Sequence, residues 1–149
     1  MPRGESFDRA KFVGDVAERA PNEAVRNAIF ELLHFAEAHA EEVRPGSASA
    51  GSFHYAISVG NRIVTLFTCD PGGTVSVSMG NFRLRVANRT LKSFASGLAK
   101  LPGMESMARA PDRPAFLIQQ TLVDPKIMDR FKRAIRRFQQ QIDDQPPVR

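Results

Sequence analysis

The chain has 149 residues, a net charge of +5, and 42% apolar and 25% charged side chains, the profile of one globular domain rather than of a disordered or collagen-like chain. Its single cysteine, Cys69, excludes an internal disulfide framework and fits a reducing compartment, so a cytoplasmic location is expected. No apolar run has bilayer-spanning length and the start, Met1–Glu5, carries no apolar signal core, so no membrane association is expected.

Ser6 is a candidate N-cap for a first helix over 7–19, with Phe7, Val13, Val16, Ala17 and Ala20 as apolar positions. After Pro21, Asn22 caps a second helix expected to run to Val43. Its stripe is Val25, Ala28, Ile29, Leu32, Ala36, His39 and Val43. Phe30 lies off that stripe, which predicts contact with the first helix. Residues 47–51 read as a connection.

A β-meander is expected over 52–86. Residues 52–59 alternate, Gly60-Asn61 is a two-residue hairpin turn, and 62–69 is the second strand. Asp70-Pro71-Gly72-Gly73 is a turn, 74–79 a third strand, and Asn81–Val86 alternates again after a break at Gly80. A third helix is expected over 90–101, a loop over 105–114, and a short strand over 115–120. Asp124 and Pro125 open a final helix to about Ile142. Residues 1–144 are expected to form a single α+β domain with an antiparallel sheet and helices on at least one face. Residues 145–149 are expected to be a frayed tail.

The hairpin turn predicts Val59 opposite Arg62, Ile57 opposite Val64 and Tyr55 opposite Leu66. One face then carries Phe53, Tyr55, Ile57, Val64 and Leu66 as core. The other carries His54, Ala56, Ser58, Ile63, Thr65, Phe67 and Cys69, a mixed set that is either covered or open to a ligand. On that face His54 and Cys69 form a conceivable imidazole–thiol pair. A lone cysteine at a strand end is more commonly an inert small hydrophobe. Glu31 and His34 have the spacing of a carboxylate–histidine pair on a helix, but no further ligands appear. No catalytic or metal-binding residue and no cofactor is assigned, and the balance leans away from an enzyme.

Charge is unevenly placed. The first 44 residues hold more acids than bases, whereas 71–104 carry Arg83, Arg85, Arg89, Lys92 and Lys100 with no acid. In the final helix Lys126, Arg130, Arg133 and Arg137 recur at i, i+4, i+7 and i+11, opposite a core stripe of Ile127, Phe131, Ile135, Phe138 and Ile142. Lys132 and Arg136 flank this column. Such a row matches the repeating phosphates of nucleic acid. A partner protein with an acidic groove would use the same row, and cations near a helix C-terminus also favour the helix dipole. Arg83, Arg85, Arg89 and Lys92 form a second basic group around a helix start. The α-β-β-β-α order of 22–101 resembles double-stranded-RNA-binding domains in order alone. That of 22–120 resembles restriction-endonuclease-like cores, but its third strand, Val75-Ser76-Val77-Ser78, lacks their acid-x-Lys pair.

The expected function is therefore nucleic-acid or other polyanion binding through Arg83, Arg85, Arg89, Lys92, Lys126, Arg130, Arg133 and Arg137. A protein-interaction module with an acidic partner is the alternative, with the acidic side of the second helix and Phe30 as a further surface. A ligand-binding or catalytic use of the mixed sheet face is the third.

Overall fold

The structure is a computed structural model that describes residues 7–46, 51–108 and 112–144. Helix α1 spans Arg9–Arg19 and is capped by Asp8, whose carboxylate accepts from the Lys11 N–H. The expected cap Ser6 lies outside the described residues. Helix α1 buries Phe12 and Val16. Of its expected apolar positions, Val13 is only half-buried and Ala17 is exposed. Helix α2, Glu23–His39, is capped by the Asn22 side chain, which accepts from the Val25 N–H at 2.9 Å.

Helix α2 stops four residues short of Val43, because Glu42–Pro45 is an edge strand, β1, paired with the next strand. Val43 stands opposite Tyr55 there. Its place on the helical stripe is a coincidence of spacing, and as a β-branched residue it suits the pleat. Pro45, which has no N–H to give, is tolerated at an edge. His39, expected inward, is exposed at the helix end with its ring 5.2 Å from that of Phe35.

Strands β2, Phe53–Val59, and β3, Arg62–Cys69, form the predicted hairpin, with Gly60 at φ 63°. The pairs Val59–Arg62 and Ile57–Val64 form as expected. Tyr55 does not face Leu66. Ala56 pairs with Thr65 and Tyr55 with Phe67, so Leu66 is the extra residue of a β-bulge. The adjacent apolar residues Leu66 and Phe67 are the physical reason. Strict alternation would send Phe67 outward, whereas the bulge buries both completely. Phe67 then stacks on Tyr55 at 4.9 Å.

The Asp70 carboxylate closes the next turn by accepting from the N–H groups of Gly72 and Thr74. Strand β4 is Thr74–Val77. Residues 81–86 are not a strand. A 3₁₀ turn at Met79–Phe82 passes into further turns, with Val86 N–H donating to the Phe82 carbonyl. Phe82 and Val86 are buried while Leu84 between them is 93% exposed. The inward positions are thus four apart, a helical rather than a pleated spacing.

Helix α3 spans Asn88–Ala99, and a 3₁₀ turn at Glu105–Ala108 occupies part of the expected loop. Strand β5, Ala115–Leu117, gives way at once to a 3₁₀ turn at 118–120. Helix α4, Pro125–Asp143, starts at the expected cap, with Asp124 accepting from the Lys126 N–H. The expected tail at 145–149 lies outside the described residues.

The fold is α+β: five antiparallel strands in the order β1-β2-β3-β4-β5. The helices pack on one face. Phe12 of α1 meets Phe53, Phe35 of α2 meets Tyr55, and Phe131 of α4 meets Phe67. Helix α3 joins this layer through the stacked pair Phe94–Phe138, whose centroids are 4.2 Å apart. No helix of the described residues is long and apolar enough to cross a membrane.

Candidate functional site

Helix α4 sorts its side chains sharply. Ile127, Phe131, Ile135, Phe138 and Ile142 are buried, and Lys126, Arg130, Arg133 and Arg137 are all exposed on the side away from the sheet. Eleven residues of helix separate Lys126 from Arg137, a row about 17 Å long at 1.5 Å per residue. Arg133 is ion-paired with Asp129 one turn back. Among the described residues, Lys126, Arg130, Arg136 and Arg137 have no ion pair. The helix dipole does not explain the row, since no basic residue lies in the last turn of α4 and the dipole acts only within the terminal turns.

Lys132, one of the flanking cations, turns away from the row. It pairs with Glu31 of α2 and sits 5.9 Å from the Phe35 ring. Glu37 of α2 is likewise paired, with Arg9 of α1 at 2.9 Å. The acidic side of α2 is thus partly neutralised within the molecule, and Phe30 is half-buried against the core, not exposed.

Between α3 and α4 runs an open groove of about 680 Å³. Phe94 and Phe138 make its floor, Ser93, Ser96, Gly97 and Lys100 one wall, and Arg133, Arg136 and Arg137 the other. Among the described residues no carboxylate lines it. A smaller depression continues it past Arg89, Ser93 and Gln141, where Asp144 supplies the acid. Lys100 was noted in the sequence among the basic residues of 71–104 but not assigned to the binding surface. The signal was there: Ser93, Ser96, Gly97 and Lys100 fall at i, i+3, i+4 and i+7, a stripe of small and polar residues on one side of α3.

The second basic group divides. Arg83 pairs with Asp112 at 3.0 Å. Arg85 donates to the Asn81 carbonyl and lines a depression with Arg44 and Arg62. Arg89 and Lys92 stay with α3, both exposed. Turns in place of the expected strand at 81–86 separate these residues.

The outer sheet face carries His54, Ser58, Ile63, Thr65, Thr68 and Ser76, all half-buried. The bulge at Leu66 moves Cys69 off this face. Cys69 pairs with Phe53 and is fully buried, and Thr68 takes the place opposite His54. The imidazole and thiol lie on opposite sides of the sheet, so they form no pair. Burial and the neighbouring Asp70 carboxylate push the Cys69 thiol well above its ordinary pKa, the opposite of what a nucleophile needs. The His54 imidazole lies 3.3 Å from the Thr65 hydroxyl. Its pKa is lowered, by desolvation first and then by the charges of Arg113 and Arg44. Tyr55, in the core, donates to Gln139 at 2.8 Å, and its pKa is raised by burial against the opposing charge of Arg136.

Glu31 and His34, the helical pair with metal-ligand spacing, are engaged elsewhere, by Lys132 and by Arg9 respectively. Among the described residues no three or more His, Cys, Asp or Glu gather as a metal site. Comparison with protein-family models, with curated proteins and with solved structures yields no match.

Proposed function

We propose that this is a cytoplasmic nucleic-acid-binding protein that takes a phosphate backbone along α4 and the α3–α4 groove. One observation carries the reading. Lys100, Arg130, Arg136 and Arg137 crowd one side of the helix layer with no ion pair among the described residues, while Glu31 and Glu37 on α2 are paired. Each unpaired cation is free to displace a condensed counterion from a duplex. Lys126, Arg89 and Lys92 extend the surface at its ends. Arg133 contributes less, because Asp129 already holds it.

The test is a duplex-binding titration at several salt concentrations. With about four phosphate contacts, affinity should fall roughly a hundredfold between about 50 and 200 mM salt. A Lys100→Ala/Arg130→Ala/Arg137→Ala variant should bind more weakly, with a salt slope shallower by about 0.9 per cation removed. Absence of duplex binding at low salt removes this reading and leaves an acidic protein as the partner of the same surface.

A further inference from the structure

Three arginines from separate stretches of chain converge on one basin beside the start of β3, where β4 does not pair. Arg44 comes from β1, Arg62 from the start of β3 and Arg85 from the turns beyond β4, and they line an open basin of about 380 Å³ with Ile63, Thr65 and Asn81. Two of the three are held in place. Arg44 Nε donates to Glu42 at 2.7 Å, which leaves its terminal nitrogens uncommitted to a carboxylate. Arg85 donates to the Asn81 carbonyl at 2.9 Å, and Asn81 is itself fixed by donating to the Thr65 carbonyl at 3.1 Å. Arg62 has no ion pair among the described residues.

Among the described residues Glu42 is the one carboxylate paired with any of the three, and the basin keeps an excess of positive charge. Guanidiniums repel one another unless an anion lies between them. A polar row adjoins the basin, with Arg44, His54, Thr68 and Ser76 in register across β1, β2, β3 and β4. The Thr68 hydroxyl in that row is buried without a hydrogen-bond partner. The pKa of His54 in that row is lowered by desolvation first, with smaller contributions from the charges of Arg113 and Arg44. Every Phe and Tyr of the sheet faces the core. A nucleic-acid base would therefore find no aromatic ring to stack on here, which favours a small ligand over a single strand.

We propose that this basin is a binding site for a small phosphorylated molecule, its phosphate oxygens taken by Arg62 and Arg85 with Arg44 at the rim. Guanidinium forks suit phosphate oxygens in this way. The basin shares no lining residue with the α3–α4 groove and does not depend on nucleic-acid binding along α4.

Calorimetric titration of the full-length protein with inorganic pyrophosphate at low salt tests it. Wild type should bind with a Kd below about 1 mM, and Arg62→Ala/Arg85→Ala should bind at least about tenfold more weakly. The Lys100→Ala/Arg130→Ala/Arg137→Ala variant should bind pyrophosphate as wild type does, and the Arg62→Ala/Arg85→Ala variant should keep its duplex affinity. In wild type, the His54 and Thr65 resonances should shift on titration. Arg62→Glu alone keeps the Arg85–Asn81 contact and should abolish binding, even if the double variant is less stable. Equal pyrophosphate binding by wild type and Arg62→Glu overturns the proposal, as does absence of binding. Loss of duplex affinity in the Arg62→Ala/Arg85→Ala variant also overturns it, since the basin would then belong to a nucleic-acid surface.

Discussion

Cys69 ends β3 with its side chain in the core and its thiol held protonated by burial. We expect it to be inert to a thiol-specific reagent such as Ellman's reagent in the native protein and to react fully once denatured. Native reaction at the rate of a free cysteine would place the thiol at the surface. His54, on the other face, has a folded pKa below the 6.5 of a free imidazole, chiefly from desolvation. Between that lowered value and 6.5 the unfolded chain binds more protons than the folded one. The contribution of His54 to stability is therefore complete above about pH 6.5 and is lost as pH falls through its folded pKa. An NMR titration should place the His54 midpoint below 6.5, and His54→Gln should flatten the stability profile in that window. A midpoint at or above 6.5 would contradict the burial of the ring. Neither residue's surroundings were readable from alternation alone. Leu66 and Phe67, two adjacent large apolar residues, are the local sign of a bulge, but they do not say which strand position absorbs it.

At the level of elements, α4 was legible because two independent signals agree, the Asp124-Pro125 start and an unbroken apolar stripe. Phe131→Ala should cost about 3–5 kcal/mol, since its ring is wholly buried against Phe67 and Phe116. Arg130→Ala should shift stability by no more than about 0.5 kcal/mol. Denaturant melts of the two variants check the assignment of faces. Two glycines make an opposed pair. A Cβ at Gly97 in α3 would meet nothing within 4 Å, so Gly97→Ala should stabilise by roughly 0.5–1 kcal/mol. Gly73, at φ +100°, would drive a Cβ to 2.8 Å from Val25 of α2, so Gly73→Ala should destabilise by more than about 1 kcal/mol. The same sign of change in both would refute one of these placements. Strand β1 was not legible, because Val43 continues the helical stripe and a strand of four residues carries little pattern of its own. Residues 81–86 were misread for a related reason: Phe82, Leu84 and Val86 satisfy a period of two, and only tertiary packing shows that Leu84 is outside.

Over the whole molecule, the ion pairs Arg9–Glu37 and Lys132–Glu31 join α2 to its two neighbouring helices. Exposed pairs of this kind are worth about 0–1 kcal/mol. Raising salt from about 50 to 200 mM should therefore move the melting temperature by only a few degrees, while affinity for a polyanion falls steeply. Parallel scanning calorimetry and binding titrations separate the two responses; equal sensitivity of both would mean that the charges serve mainly the fold. The α4 row was visible in the sequence because one helix carries it. The arginine basin was not, because Arg44, Arg62 and Arg85 meet only once β1, β3 and the turns beyond β4 are assembled. The α4 row and the basin have no residue in common. With both surfaces occupied, the molecule would be bivalent. Anything seated in the basin of a molecule resting on a polyanion through α4 would be carried at a fixed height above it, tethered and at raised local concentration.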